Sequence, residues 1–227
     1  PIRLGLKLPG IKWYPLAVDM TRYAGEWVAI VVADDAYIAE DALDLIEVDY
    51  EPLDAVVDPE VAFAETERFV HPDHGSNVLY HGNFVWGGVD EDFAAADERL
   101  DLRVRWGRSA TVPIETFGVL AQWNEGTEIL DIWASIQMPN FVELMASTLG
   151  YPLNSIRLHQ DVDVGGSYGV KRGIKQSVLA AYLSRKLRRP VRLIEDRLWN
   201  MAGGDAHGPD RIFDTQVAFN KDGVIRS

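Results

Sequence analysis

Apolar and polar positions in the first fifty residues predict a strand, a helix and a second strand. Residues 26–33 form a nearly continuous apolar run rich in β-branched side chains, which is typical of a buried strand. An acidic pair at residues 34–35 favours the start of a helix, and apolar residues then recur at helical spacing, which predicts a helix over residues 36–46. Residues 47–50 again have strand character. This order predicts one strand–helix–strand unit.

The next fifty residues lack a sustained period and separate two modules. Residues 51–68 contain two prolines and many acids, and residues 69–88 are dense in Gly, His, Pro and Asn. Such composition is typical of connecting segments. We therefore place an interdomain linker at residues 61–99, with a short helix over residues 90–99.

Strands and helices alternate after this linker. Leu102, Val104 and Trp106 alternate with two arginines, which predicts a half-exposed strand. Hydrophobic periodicity predicts further strands over residues 127–135, 155–160, 190–195 and 211–219, and helices over residues 140–149 and 174–187. Gly150 is placed to end the first of these helices in the left-handed conformation. Residues 220–223 predict a hairpin turn into one more strand, so the overall class is α+β.

The composition excludes several classes of protein. The 227 residues are 47% hydrophobic and 25% charged, as in an ordinary globular protein. No apolar run approaches the roughly 20 residues that cross a bilayer, and a net charge of −13 disfavours contact with the phosphates of nucleic acids. The chain has no cysteine, so it can supply no disulfide and no thiolate to zinc or to an iron–sulfur cluster. We expect a cytoplasmic protein.

A glycine-rich turn is the strongest local indication of a site. Residues 165–169, Gly-Gly-Ser-Tyr-Gly, precede a helix, and from this position backbone N–H groups can contact an anion or a metal oxo group. The turn matches neither the P-loop nor the Gly-x-Gly-x-x-Gly pattern, so a plain tight turn is an equal alternative. Gln137 follows another predicted strand, where its amide could point into a crevice at the strand ends. Capping of the following helix is the alternative for Gln137.

Other polar residues are weaker candidates. His71, His74 and His81 could be imagined as a metal site, but their Pro-rich context favours loop polarity. His207 lies in a Gly-rich segment that we expect to be a flexible loop. Glu115 is a possible acid or base, although a surface carboxylate at the start of a strand is the simpler interpretation. No Gly-x-Ser-x-Gly elbow is present, so hydrolase chemistry has no support from the sequence.

Several segments, taken in their shared order, resemble one protein family. The segments are Tyr23–Ala29, Ala39–Ala42, Val48–Leu53, Pro113–Thr116, Gln137, Asp163–Lys171, Arg189–Arg192 and Glu195–Arg197. Their order and spacing resemble the large, molybdenum-binding subunits of the xanthine dehydrogenase, aldehyde oxidase and carbon monoxide dehydrogenase family. The resemblance implies the C-terminal part of an α/β hammerhead domain at residues 1–60 and the first part of a molybdopterin-binding domain at residues 100–227. We therefore expect a piece of a longer chain, cut at both ends.

The resemblance also implies an activity and its cofactors. Members of this family hydroxylate an electron-poor carbon with water as the oxygen source, and an aldehyde or an N-heterocycle is the expected substrate. The implied cofactor is molybdenum-molybdopterin in its cytosine dinucleotide form, whose metal is held by the pterin and needs no protein thiolate. Electrons would pass to a 2Fe-2S cluster and FAD on partner subunits. The resemblance thus implies a hetero-oligomer that dimerises.

Residue roles follow from the same resemblance. The implied cofactor-binding residues are Gln137, which would bind the molybdenum oxo group, and Gly165, Gly166, Ser167, Tyr168 and Gly169. Tyr168 and Arg172 would face the substrate, and a purine is not expected because purine-oxidising members have Glu at the position of Arg172. No residue of the chain would bind the metal directly. The general-base Glu is expected beyond Ser227, so this chain alone should be inactive.

Two other functions remain open at this point. Ser167 and Val170 stand where Gly is common in the family, which favours a subunit-binding scaffold that has lost the cofactor. The other alternative is a dinucleotide-binding domain with pyrophosphate on the glycine-rich turn. That fold places a ribose-binding acid about 20 residues further on, and Glu195 and Asp196 come late for this role.

Overall fold

Helices and strands are mixed along the chain, in agreement with the predicted α+β class. The computed structural model describes residues 11–160, 163–203 and 207–227. Within these ranges the helices are α1 (Ala36–Leu43), α2 (Pro59–Ala64), α3 (Val89–Ala95), α4 (Phe141–Leu149), α5 (Ile174–Leu187) and α6 (Arg197–Ala202). The strands are β1 (Glu98–Trp106), β2 (Ser109–Ala110), β3 (Gly118–Asn124), β4 (Ile129–Ala134), β5 (Ile156–His159), β6 (Val191–Ile194), β7 (His207–Gly208) and β8 (Arg211–Phe219). None of the described helices is long and apolar enough to cross a bilayer.

A four-stranded sheet forms the centre of the fold, in the order β5-β4-β3-β6. Strand β3 is antiparallel to both of its neighbours, whereas β4 and β5 are parallel. Strands β4, β5 and β6 therefore run in one direction and β3 runs in the other. As a result, the carboxyl ends of three strands meet the amino end of β3 at one end of the sheet.

Helices α4 and α5 cover one face of this sheet. Alternate strand positions point toward these helices because successive strand residues face opposite sides. The fully buried apolar side chains of this layer are Phe117, Ala121, Leu130, Ile132, Phe141, Met145, Ala180 and Ala181. Burying one large apolar side chain contributes on the order of 1.5–3 kcal/mol, so we attribute most of the stability of the chain to this layer.

Glycines set the limits of the two packed helices. Gly150 ends α4 with a φ of 72°, and its N–H donates to Ala146 O at 2.9 Å, as the sequence predicts. Gly173 precedes α5 with a φ of 59°, and a Cβ there would lie 2.3 Å from the ring of Phe117. Only glycine therefore allows α5 to begin this close to the start of β3. Both predicted helices are confirmed.

The predicted strands of the first module are not formed. Residues 26–33 and 47–50 lie outside every strand of the described chain. An extended run becomes a strand only where a neighbouring strand satisfies its hydrogen bonds. The first run instead approaches α6, where Trp27 meets Trp199 edge to face with ring centroids 6.3 Å apart.

The two helices predicted in the first hundred residues are present as α1 and α3, and both end earlier than predicted. The carboxylate of Asp35 caps α1 by accepting a hydrogen bond from Ile38 N–H at 2.9 Å. Helix α1 ends at Leu43, one turn earlier than predicted. The predicted linker contains α3 and the last four residues of α2, which was not predicted, and α3 stops at Ala95 because strand β1 begins at Glu98.

A separate two-stranded ribbon joins β1 to β8. The two strands pair antiparallel over their whole lengths, which confirms both predictions. Every residue of β1 is exposed, so the expected half-buried face does not form among the described residues. The predicted turn is present, with Gly223 N–H donating to Asn220 O at 2.9 Å. The strand after it is reduced to one bridge between Phe219 and Ile225.

Some elements were absent from the sequence prediction. Helices α2 and α6, strand β3 and the short β2–β7 pair have no counterpart among the predicted elements. At His207 itself the flexible-loop expectation is wrong, since its backbone pairs with Ala110 in β7 and β2, while residues 204–206 of that loop lie outside the described residues. Residues 1–10 of the expected hammerhead segment, and Asp161 and Val162 ahead of the glycine-rich turn, lie outside the described residues.

Candidate functional site

Polar residues from four connections meet at one end of the central sheet. Glu115 lies before β3, Gln137 after β4, the glycine-rich turn after β5, and Glu195 after β6. Glu195 N–H donates to Phe117 O at 2.9 Å, which joins the end of β6 to the start of β3. The strand directions therefore make neighbours of residues that are far apart in sequence. The fold brings together three candidates named from the sequence, Gln137, the turn and Glu115, and adds Glu195.

Gln137 is fastened to the C-terminal part of the turn. Its Oε1 accepts hydrogen bonds from Gly169 N–H at 3.1 Å and Lys171 N–H at 3.0 Å, and its own N–H donates to Lys171 O at 3.0 Å. Two backbone donors require the amide oxygen on this side, so the Nε2 group is directed away from them. Nε2 donates to no group in the described part of the chain. The helix-cap interpretation is wrong, since Gln137 Oε1 accepts from the turn and from Lys171, and not from the first residues of α4.

The N–H groups of the turn divide into paired and unpaired donors. Three of them, those of Gly165, Gly166 and Gly169, donate within the protein. The other two, those of Ser167 and Tyr168, donate to no group among the residues that the structure describes. Unpaired backbone donors in a turn are suited to an anionic or oxo group.

Three residues of the turn have left-handed backbone conformations. The φ angle is 94° at Gly166, 49° at Tyr168 and 100° at Gly169. The side chain of Tyr168 is 70% exposed, and Arg172 is partly buried just beyond the turn. Both residues therefore lie on the connection that forms the site. Their roles toward a substrate stay a prediction.

Glu115 lies against the start of the turn and not on an open surface. Its carboxylate accepts hydrogen bonds from Gly165 N–H at 2.8 Å and from Ser135 Oγ at 3.2 Å, and it pairs with the ammonium of Lys171. Desolvation by itself would raise the pKa of Glu115, but the hydrogen bonds from Lys171 and Gly165 and the charge of Lys171 hold that pKa below its ordinary value. Such a carboxylate is a weak base, which disfavours the acid–base role for Glu115.

A second polar cluster lies behind the site, around Glu195. Its carboxylate accepts hydrogen bonds from Gln176 Nε2 at 2.6 Å and from Asn200 Nδ2 at 3.1 Å. Asn200 is only 4% exposed, so its amide needs this partner. The cluster connects the end of β6 to α5 and α6.

Helix α6 holds the segment that leads to Glu115. Arg197, in its first turn, donates from Nη2 to Pro113 O at 2.6 Å and to Ile114 O at 2.8 Å. Sequence reasoning missed this contact because α6 was not predicted. The available signal was Asp196, whose carboxylate caps the helix by accepting from Trp199 N–H at 2.7 Å.

The histidine-rich stretch shows no metal site. His74 Nε2 lies 3.2 Å from Val78 O. Desolvation, together with the charge of Arg22, holds the pKa of His71 below its ordinary value. Within the described ranges, no three or more His, Asp or Glu residues are grouped so that they could hold a metal ion.

Two protein-family models match the chain, and together they cover most of it. Residues 8–54 match the a/b hammerhead domain of aldehyde oxidase and xanthine dehydrogenase, and residues 70–227 match the molybdopterin cofactor-binding domain. The chain belongs to the xanthine dehydrogenase, aldehyde oxidase and carbon monoxide dehydrogenase family. The resemblance seen in the sequence is thus confirmed, as is a hammerhead segment followed by a molybdopterin-binding domain. Because the chain belongs to this family, the family assignment is preferred to the dinucleotide-binding alternative.

Relatives in this family are much longer than the chain. The nicotine 6-hydroxylase large subunit of Paenarthrobacter nicotinovorans is 34% identical over 92% of this chain and 26% of its own length. The carbon monoxide dehydrogenase large chain of Hydrogenophaga pseudoflava is 31% identical over 92% of this chain and 28% of its own. The crystal structure of quinoline 2-oxidoreductase from Pseudomonas putida 86 superposes with a TM-score of 0.81 at 36% identity, over 93% of this chain and 27% of that chain. The chain thus spans about a quarter of the length of these relatives.

Proposed function

We propose that this chain forms one wall of the molybdenum cofactor site in the large subunit of a molybdenum hydroxylase. The observation that carries the proposal is the orientation of Gln137. Two N–H groups of the turn hold its Oε1, which leaves both Nε2 hydrogens to donate outward. Ser167 and Tyr168 add two N–H groups that are unpaired among the described residues. Together these groups form a set of donors for the oxygen atoms of a bound group.

The residues present fit a molybdopterin-type ligand. A Cβ at Gly169 would meet no protein atom within 4 Å, so the backbone there faces open space. The site offers hydrogen-bond donors and no thiolate, which suits a metal that is held by a pterin. Gln137 would bind the oxo group, and residues 165–169 would pack against the cofactor. No residue of the chain would coordinate the metal.

The proposed reaction is hydroxylation of an aldehyde or an N-heterocycle, with water as the oxygen source. When bound, the molybdenum cofactor supplies the two-electron oxidation of the substrate carbon. Gln137 would orient the cofactor, and the exposed hydroxyl of Tyr168 would donate to a polar substrate. An N-heterocycle is the preferred class, because two similar proteins are named nicotine 6-hydroxylase and quinoline 2-oxidoreductase. Arg172 argues against a purine.

Electron transfer would depend on partner subunits. The family resemblance implies that the 2Fe-2S cluster and FAD lie on other chains of a hetero-oligomer, and the residues present have no cysteine that could hold the cluster. One relative is named as the gamma subunit of the 6-hydroxypseudooxynicotine dehydrogenase complex, which supports this arrangement. The cytosine dinucleotide form of the cofactor, a general-base Glu beyond Ser227 and a cytoplasmic location rest on the family resemblance and belong to the same proposal.

Molybdenum content tests the proposal directly. The full-length protein is co-expressed with its neighbouring subunits in a host that makes the pterin, and metals are measured by elemental mass spectrometry. We expect about one molybdenum per large chain, since one pterin cofactor carries the chemistry. A folded complex without molybdenum would refute the proposal and favour the cofactor-less scaffold.

A substitution at Gln137 tests the site itself. Gln137→Ala removes the outward donor and the acceptor for two turn N–H groups. Loss of one such preorganised donor lowers kcat by about 100-fold or more, and we expect this for N-heterocycle oxidation at equal molybdenum content. The matched control is Gln122→Ala, an exposed glutamine in β3, which should keep full activity. Unchanged kcat in Gln137→Ala would contradict the assignment.

A further inference from the structure

Lys171 is a cation without solvent exposure. Its side chain is 0% exposed, and its ammonium pairs with Glu115, whose side chain is 40% exposed. A buried cation is strongly unfavourable unless a carboxylate compensates it. Replacing such a pair with apolar side chains often leaves stability unchanged or improves it. Stability alone therefore does not account for a lysine at this place.

The ion pair is connected to both ends of the glycine-rich turn. At the start, Glu115 accepts from Gly165 N–H at 2.8 Å, and Glu115 N–H donates to Gly165 O at 3.2 Å. At the end, the backbone of Lys171 exchanges two hydrogen bonds with Gln137, each of 3.0 Å. One ion pair thus joins the first residue of the turn, the lysine two positions after its end, and the amide that the turn orients.

Close packing fixes Glu115 on the turn. A Cβ at Gly165 would lie 2.5 Å from the Cβ of Glu115, closer than any real contact, so the stem of Glu115 lies directly on the backbone of the turn. On its other side, Arg197 binds the carbonyl groups of Pro113 and Ile114, immediately before Glu115. The carboxylate is therefore held in place from both directions.

We propose that Glu115 and Lys171 are positioning residues that assemble the site before any cofactor binds. The ion pair fixes the turn, and the turn fixes the amide of Gln137. Their effect on cofactor retention rests on the proposed function, whereas the order of the turn is a property of this chain alone. Two independent measurements therefore follow.

Hydrogen exchange of the turn is the measurement that needs no cofactor. The full-length protein is made in a host that cannot synthesise molybdopterin, and peptides covering residues 163–173 are followed by mass spectrometry. In Lys171→Met we expect the amides of this segment to exchange about tenfold faster or more, because local opening becomes easier. Exchange within about twofold of that of the unsubstituted protein would overturn the inference.

Ser184→Ala is the matched control for lost stability. Ser184 is fully buried near the other end of α5, where its hydroxyl accepts from Trp123 N–H at 3.0 Å and donates to Arg189 O at 2.8 Å. Its loss should lower Tm and leave exchange of the turn unchanged. Equal acceleration of the turn in Ser184→Ala would show general destabilisation, and the inference would fail.

Glu115→Gln covers the case in which Lys171→Met does not fold. The amide keeps an oxygen for Gly165 N–H but removes the charge that Lys171 needs, so the same local acceleration of exchange is expected. Global protection of α4 and α5 should change less than protection of the turn. The opposite ranking would contradict a positioning role.

Molybdenum content separates this inference from the proposed function. In a host that makes the pterin, Lys171→Met should retain less than about half of the molybdenum of the unsubstituted protein, since an unassembled site binds more weakly. Ser184→Ala should retain all of it. Full retention in Lys171→Met would overturn the inference. Absence of molybdenum from the unsubstituted protein would instead refute the proposed function, and the exchange result would still decide the positioning role.

Discussion

The two halves of the chain hold their apolar residues in opposite ways. Residues 11–112 contain no buried residue, whereas residues 113–200 contain all the described buried residues except Ala218. Large side chains of the first half are open to solvent, such as Tyr37 at 80% and Trp86 at 78% exposure. Apolar periodicity therefore leads to burial only where a second layer is present to cover it.

The two halves differ in whether helices pack on a sheet to form a second layer. In the second half, α4 and α5 lie on the central sheet. In the first half, neither α1 nor strand β1 has a buried residue. Resistance to local unfolding follows buried apolar contacts, so we expect the halves to respond differently to equivalent substitutions.

The largest difference is expected for the removal of a phenylalanine. Phe141→Ala empties a position that is 0% exposed in α4, and such a cavity lowers the free energy of unfolding by about 3–5 kcal/mol. Phe84→Ala removes a ring that is 70% exposed in the first half, and the expected change is within about 0.5 kcal/mol. Urea unfolding measures both. Equal losses would show that the first half is covered in solution.

A smaller difference is expected for the addition of one methyl group. In Gly173→Ala the new Cβ would lie 2.3 Å from the ring of Phe117 at a left-handed φ of 59°, and the strain should cost about 2–4 kcal/mol. Gly107→Ala places its Cβ where no protein atom lies within 4 Å, so it should be neutral within about 0.5 kcal/mol. Thermal unfolding of the two variants checks the ranking. A neutral Gly173→Ala would mean that Phe117 can move aside.

The smallest effect is expected for Glu115, in the second half. It concerns how the free energy of unfolding changes at acidic pH. Desolvation raises the pKa of Glu115. Hydrogen bonds from Lys171, Gly165 and Ser135, together with the charge of Lys171, nevertheless hold this pKa below its ordinary value of 4.5. A carboxyl with a lower pKa in the folded state adds stability that is present above pH 4.5 and is lost as the pH falls through the folded value. Glu115→Gln should therefore flatten the loss of stability below that pH, as measured by urea unfolding at a series of acidic pH values. An unchanged slope would contradict the lowered pKa.

Much of the second half could be predicted from the sequence because its local signals agree with its packing. Helices α4 and α5 show clear periodicity, and Gly150 marks an end that the structure confirms. Strand β3 was missed although Val119, Ala121 and Trp123 alternate on its inward side. In the first half, the run at residues 26–33 has strand composition, but composition cannot show whether a partner strand is present.

The candidate site was predictable only in part. Gln137 and the glycine-rich turn carry motif signals, and the family comparisons agree with the resemblance that singled them out. The contact between Glu115 and Lys171 joins residues that are 56 positions apart, and no local pattern encodes such a pair. Burial of Lys171 was equally invisible, because lysine in a sequence is normally taken as a surface residue.

The order of the strands in the sheet determines when the site can form during synthesis of the protein. Strand β3 lies between β4 and β6, and Glu195 N–H binds Phe117 O across 78 positions of sequence. Strand β6 must therefore be synthesised before the start of β3 can reach its final place. The same holds for Glu115, which precedes β3. Contacts of such long sequence separation slow folding, because a long loop must close before they form. A site in which Glu115 lies beside the turn and Gln137 is therefore complete only after β6 has been made.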